Sequence, residues 1–190
     1  MQIFKTTTNL KRFLDTCRDN NKIISLVPTM GGLHDGHLKL VDRAKEISDI
    51  VVVSIFVNPT QFARGEDFDD YPNTFSSDQK QLESKGVSAL FFPSRDEIYP
   101  DGIQNDYKVG AIGQILCGAF RPTHFDGVAQ VVKRFFKIVE PDYAIFGEKD
   151  FQQLAIIKSL VERLNLDINI ESVGTQREKD GLAMSTRNQY

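Results

Sequence analysis

The feature that most constrains this chain is a strand–turn–helix junction near its start. Ile23-Ile24-Ser25-Leu26-Val27 is an apolar run of strand length, and Leu38, Val41, Ala44 and Ile47 recur at the spacing of one helix face. Between them lies Pro28-Thr29-Met30-Gly31-Gly32-Leu33-His34-Asp35-Gly36-His37. The order predicts a buried strand, a glycine-bearing turn and a helix beginning near His37. A helix N-terminus presents unpaired N–H groups and the positive end of a dipole, which suits a phosphate. Gly31, Gly32 and Gly36 let backbone approach a ligand closely. The junction therefore directs the reading toward a nucleotide-handling enzyme.

The rest of the chain repeats the alternation. Leu10, Phe13, Leu14 and Cys17 predict a first helix, capped by Thr8 or Asn9. Ile50–Val57 is almost continuously apolar and β-branched, as expected of a parallel strand covered on both faces. An acidic, turn-rich stretch over 63–75 precedes a helix from about Ser76 to Lys85 and a strand at Val87–Phe92. Pro93–Gly113 reads as loop. Val128, Val132, Phe135 and Val139 define a helix from Phe125 that Pro141 ends. A strand at Tyr143–Phe146, a turn at Gly147–Asp150, a helix carrying Leu154, Ile157, Val161 and Leu164, and a strand at Ile168–Val173 follow. Gly174–Tyr190 is polar. Five strands alternating with helices predict an α/β fold: a Rossmann-like parallel sheet with helices on both faces. No linker or repeat divides the chain, so residues 1–190 read as a single domain. Ligands of such sheets sit beyond the C-terminal strand ends. The turns at Pro28–His37, Asn58–Phe62 and Gly147–Asp150 should therefore converge on one edge.

Composition narrows the partners. A net charge of −3 argues against a general nucleic-acid surface, so an anionic ligand must be held by local groups. The longest apolar run is too short to span a bilayer, and no secretory leader is evident, so no membrane partner is expected. Cys17 and Cys117 form no disulfide or metal pattern and read as buried, reduced thiols in a cytoplasmic protein.

Four clusters carry candidate chemistry. His34 and His37 are polar helix-start residues, an i,i+3 metal pair, or the HxGH turn of adenylyl- and nucleotidyl-transferases, whose imidazoles stabilise charge on phosphorus. A zinc site needs three or four ligands, and no second Cys/His cluster stands nearby. The preceding strand and Pro28-Thr29-Met30-Gly31 favour the HxGH reading. Lys149 and Asp150 are a solvated pair, or a point charge for a triphosphate beside a carboxylate for ribose or Mg²⁺. Met184-Ser185-Thr186-Arg187 is a polar loop, or a mobile clamp like the KMSKS loop that accompanies HxGH. Gln61 and Gln153 are surface amides, or neutral donors for a substrate carboxylate that must keep its nucleophilicity.

These blocks resemble the pantoate–β-alanine ligase family. The resemblance is carried by Pro28–Gly31, His34-x-Gly36-His37, Ser54–Phe62, Tyr71-Pro72, Leu116-x-Gly118, Arg121-Pro122-x-His124-Phe125-x-Gly127-Val128, Phe146–Asp150 with Gln152-Gln153-Leu154, and Arg177–Ser185 with Arg187-Asn188. It implies formation of pantothenate from pantoate, β-alanine and ATP through pantoyl adenylate, with Mg²⁺ accompanying ATP. It implies ATP contacts from Met30, Gly31, Gly32, Leu33, His34, Asp35, Gly36, His37, Gly147, Glu148, Lys149, Asp150, Gln176, Met184, Ser185, Thr186 and Arg187. His37 would be the proton donor to the departing phosphate, assisted by His34, Lys149, Ser185 and Arg187. Gln61 would touch pantoate and β-alanine, and Gln153 pantoate. Asp78 and Gln81 fall where some members place Mg²⁺ ligands, although Ser77 replaces an acidic partner.

Gly32 stands where alanine is common in the family, Thr123 where glycine is common, and Thr186 where serine is common. Family members also continue into a smaller C-terminal lid domain and form homodimers through the nucleotide-binding domain. The expectation is therefore a ligase, or alternatively an isolated ATP-binding, dimerising domain with little turnover. A cytidylyltransferase-type HxGH enzyme is a third reading, against which Gln61 and Gln153 speak.

Overall fold

The computed structural model describes residues 1–63, 65–104 and 107–189; Tyr190, the end of the polar stretch, lies outside them. In chain order the elements are β1 (Gln2–Phe4), α1 (Thr7–Asp19), β2 (Ile24–Thr29), α2 (Asp35–Ile47), β3 (Ile50–Ile55), α3 (Phe75–Ser84), β4 (Ala89–Phe91), α4 (Arg95–Ile98), α5 (Cys117–Phe120), α6 (His124–Val139), β5 (Tyr143–Gly147), α7 (Phe151–Arg163) and β6 (Asn169–Val173). All neighbouring strands pair in parallel, in the order β1-β4-β3-β2-β5-β6.

The alternation of strand side chains builds two cores. Leu26, Val52 and Ala144 face α1, α6 and α7, packing with Leu14, Val132, Phe135 and Leu160. Val27, Val53 and Ile145 face α2 and α3, packing with Leu40, Val41, Ala44 and Leu82. Both faces of the sheet are thus covered, which is why β2, β3 and β5 read as nearly continuous apolar runs. No helix among the described residues is long and apolar enough to cross a membrane.

Three expectations are corrected. The sheet has six strands: β1 is only three residues long with Phe4 alone buried, too little for a periodic signal. The cap of α1 is Thr6, whose Oγ1 accepts from Asn9 N–H at 3.4 Å. Cys17 is buried, but Cys117 is exposed at the start of α5.

The topology sets the position of the site. From β2 the chain winds outward through β3 to β4, then returns to place β5 on the other side of β2. The loops leaving β2 and β5 diverge, opening a crevice at their C-terminal ends. The turn after β3 is pressed against α6. A Cβ on Gly127 would lie 2.1 Å from Thr60 O, so only glycine admits this approach. Asn58 Nδ2 and Thr60 Oγ1 both donate to Gly127 O, at 3.1 and 3.2 Å.

Candidate active site

A cavity of about 250 Å³ occupies that crevice. It is lined by Met30, His34, Gly36 and His37 from the β2–α2 turn, Gln61 from the turn after β3, and Gly147, Lys149, Asp150 and Gln153 from the β5–α7 junction. Gln176 and Met184–Arg187 add a further wall, and Asn58, Tyr71, Arg121 and His124 also line it. The three turns converge as the strand order requires. Gly31, Gly32 and Leu33 form the buried backing of the first turn, while Asp35 and Glu148 are exposed. Glu148 accepts from Ser172 Oγ at 3.1 Å.

The histidines are oriented by backbone. His34 caps α2, its Nδ1 accepting from Gly36 N–H at 3.1 Å, and His37 Nδ1 accepts from His34 N–H at 3.4 Å. With both Nδ1 atoms accepting, each neutral ring carries its proton on Nε2. Burial, then His34 and Lys149, lowers the His37 pKa to about 3. Burial, then Lys149, also lowers that of His34. The ring centroids are 4.1 Å apart, and two imidazolium charges would repel at that distance. At neutral pH the pair therefore offers two Nε2–H donors.

Asp78 takes a different part from the expected cation ligand. It is 1% exposed. Its Oδ2 accepts from Gly32 N–H at 3.0 Å and Thr74 Oγ1 at 3.0 Å, and its Oδ1 from Leu33 N–H at 2.9 Å. The carboxyl group braces the first turn from behind. Gln81 Nε2 lies 3.5 Å from both Leu33 O and Ser77 Oγ, outside the cavity lining. Among the described residues no group of three His, Cys, Asp or Glu is placed to hold a metal, and Asp150 is the one acidic side chain lining the cavity.

Residues 176–184 form a hairpin: Arg177 bridges Ala183, and Met184 N–H donates to Gln176 O at 2.9 Å. The hairpin delivers Ser185–Arg187 to the cavity. Thr186 Oγ1 donates to Gly32 O at 2.9 Å, joining this segment to the first turn. Lys149 Nζ sits 3.4 Å from Asp150 Oδ1, a loose exposed pair.

Two arginines at the cavity are held by carboxylates of the acidic stretch. Arg187 grips Asp67 in a bidentate pair at 2.7 and 2.9 Å, which holds the Asp67 carboxyl below its ordinary pKa. Arg121 grips Glu66 at 2.7 and 2.6 Å, with the same effect on Glu66. Arg121 NH1 also donates to His124 Nε2 at 3.1 Å, and His124 Nδ1–H to Gln61 O at 2.6 Å. Burial lowers the His124 pKa, consistent with this neutral tautomer. Asn58 Nδ2 donates to Gln61 Oε1 at 3.2 Å, and Tyr99 OH donates to Asn58 Oδ1 at 2.8 Å. Gln61 is thus held by its backbone and its side chain. Sequence reasoning gave Asn58, Arg121 and His124 no role, although all three fall inside blocks that carry the family resemblance.

The comparisons with known proteins agree with this geometry. The sequence profile of the pantoate–β-alanine ligase family matches residues 2–190. The chain belongs to that family. A pantothenate synthetase of Ruthia magnifica subsp. Calyptogena magnifica is 52% identical over 190 residues, covering 100% of this chain and 68% of the relative. That of Aquifex aeolicus (strain VF5) is 52% identical over 188 residues, covering 99% and 67%. The chain thus spans about two thirds of its relatives' length. The crystal structure of the ligase of Francisella tularensis superposes with a TM-score of 0.95 at 40% identity, covering 100% of this chain and 72% of that one. That protein was crystallised with beta-gamma ATP and beta-alanine. The six-stranded parallel sheet with helices on both faces is the Rossmann-like architecture expected from the sequence.

Proposed function

We propose that residues 1–190 act as one ATP- and pantoate-binding unit of a pantothenate synthetase. The carboxylate of pantoate attacks the α-phosphate of ATP, giving pantoyl adenylate and pyrophosphate; the β-alanine amine then attacks the mixed anhydride, and AMP leaves. The observation that carries this reading is the convergence on one cavity of Met30–His37, Gly147–Asp150 and Met184–Arg187 together with Gln61 and Gln153. Three cation- or donor-bearing segments suit a triphosphate, and two neutral amides suit a carboxylate nucleophile.

That carboxylate is ionised at neutral pH, so the first step needs positioning and charge neutralisation in place of a base. His34 and His37 offer Nε2–H to the phosphates. Their lowered pKa values support hydrogen-bond donation by His37 in place of the proton donation inferred from the family. Lys149 supplies a point charge, Ser185 a hydroxyl, and Arg187 a fork for a phosphate oxygen once it leaves Asp67. Gln176, which lines the cavity, would contact the adenosine, and Gly147 the nucleotide. The donor set fits Mg²⁺ arriving on the nucleotide: Asp150, the one carboxylate lining the cavity among the described residues, would help hold it, and the ion would neutralise phosphate charge.

Exposed apolar side chains support a homodimer. Gln152 accepts from Cys117 N–H at 3.1 Å and donates to Ile112 O and Ile115 O at 2.8 Å each, tying the start of α7 to the segment before α5. Around this junction Leu116, Phe120 at the end of α5 and Phe151 are exposed to 69%, 88% and 69%. Sedimentation velocity reads this directly: Phe120→Asp should shift a dimer toward monomer.

The activity is tested by incubating the chain with Mg²⁺, ATP and pantoate and following pyrophosphate with and without β-alanine. Pantoate-dependent release coupled to pantothenate supports the ligase. ATP binding without release makes the chain a nucleotide-binding module. Release with CTP and none with ATP refutes both.

A further inference from the structure

Two walls of the cavity, 154 residues apart, meet at a glycine and a methyl group. Thr186 is 5% exposed, and its Oγ1 donates to Gly32 O at 2.9 Å. Gly32 has φ +63°, and a Cβ placed on it would lie 2.3 Å from Thr186 Cγ2. The same Cβ would stand 3.3 Å from Thr186 Oγ1 and 3.4 Å from its Cβ, close approaches that a shift of a few tenths of an ångström relieves. The γ-methyl of Thr186 alone thus fills the space of a side chain at position 32. Threonine is stiff about χ1, and turning the methyl away would break the hydrogen bond to Gly32 O. The turn has no room to retreat, because Asp78 Oδ2 holds Gly32 N–H at 3.0 Å from behind.

We infer that Gly32 and Thr186 form a matched pair that fixes the register of Met184–Arg187 against the β2–α2 turn. Thr186 is a positioning residue: it acts through Gly32, while its neighbours Ser185 and Arg187 line the cavity. The inference rests on the reading of both segments as walls of the ATP site. It predicts that the bulk at position 32 and the bulk at position 186 trade against each other. A Cβ at 32 is excluded by threonine at 186 and admitted by serine.

The test is a double-mutant cycle of Gly32→Ala and Thr186→Ser, read as the Kd for Mg·ATP by calorimetry and as melting temperature without ligand. Gly32→Ala should weaken ATP about tenfold or more, Thr186→Ser less than about threefold, and the double variant should return to within about threefold of Thr186→Ser. The left-handed strain that alanine brings at φ +63° is common to both backgrounds and cancels in the cycle. Thr186→Val keeps the methyl and deletes only the hydrogen bond, so it should weaken ATP by about fivefold, the worth of one such bond. A double variant no better than Gly32→Ala in ATP affinity overturns the inference, and so does coupling in melting temperature without coupling in affinity. A parent chain that melts normally and binds no ATP refutes the ATP reading instead. In that case coupling in melting temperature still decides whether the pair is matched.

Discussion

Replacing Asp78 with alanine gives the sharpest test of how the first turn is held. The side chain is 1% exposed and accepts from Gly32 N–H at 3.0 Å, Leu33 N–H at 2.9 Å and Thr74 Oγ1 at 3.0 Å. Alanine leaves the buried Leu33 N–H without its acceptor, at a cost of about 1–3 kcal/mol, while Gly32 N–H keeps Thr74 Oγ1 at 3.1 Å. The Thr74 hydroxyl can rotate toward water and adds little. The expected loss is therefore about 2 kcal/mol. With a urea m-value of about 2 kcal/mol/M, the unfolding midpoint should fall by about 1 M. Asp78→Asn keeps one acceptor and turns an amide N–H₂ toward a backbone N–H, so it should lose about half as much. Urea titrations in EDTA measure both without any contribution from a metal. A midpoint for Asp78→Ala within about 0.5 M of the parent would refute the bracing role. If that variant instead needed more Mg²⁺ for pyrophosphate release at unchanged stability, Asp78 would be the cation ligand that its position in the family suggests.

The remaining expectations concern the charges around the cavity. His37→Ala removes one preorganised donor and should slow pyrophosphate formation by about 10²–10³-fold, read by a coupled pyrophosphate assay; an unchanged rate removes His37 from the reaction. The lowered pKa values of His34, His37 and His124 make the folded state prefer neutral rings, so the unfolded chain binds more protons below pH 6.5. Stability should be full above pH 6.5 and decline as pH falls, by about 1.4 kcal/mol per pH unit for His37, whose folded value is about 3, with His34 and His124 adding in the same direction. Urea midpoints between pH 7 and 5 measure this ahead of carboxylate titration, and a flat profile there would contradict the neutral pair. Asp67→Asn releases Arg187 from its bidentate partner and should tighten Mg·ATP by about two- to fivefold, the worth of an exposed pair. The gain should shrink in high salt. An equal or weaker Kd would show that Asp67 does not compete with phosphate.

Much of the fold was legible because a parallel sheet covered on both faces leaves long apolar runs, and β2, β3 and β5 are such runs. The convergence of three turns followed from the rule that parallel strands end on one edge. β1 was illegible because three edge residues with one buried side chain carry no period. The family blocks named most of the cavity lining, but a block does not reveal what each member touches. The family resemblance offered Asp78 only as a Mg²⁺ ligand, and its backbone partners lie 45 and 46 residues earlier. The link from Arg121 through His124 to Gln61 spans about 60 residues and depends on how tightly Gly127 lets α6 approach Thr60. The exposure of Cys117 was hidden for the same reason: it turns on how the segment before α5 docks onto α7.

The grip on Gly32 also bears on how the chain is made. One hand of that grip is Asp78, and the other is Thr186, 154 residues further along. During synthesis at about 5–20 residues per second, the first turn emerges about 8–30 s before the residue that closes it. In that interval β2, β3 and the helix after them have everything they need to pair, while the crevice lacks one wall. The nascent protein therefore passes through a stage with a formed sheet and an unfinished nucleotide cradle, and ATP should gain its full hold only after the hairpin at 176–184 has folded back.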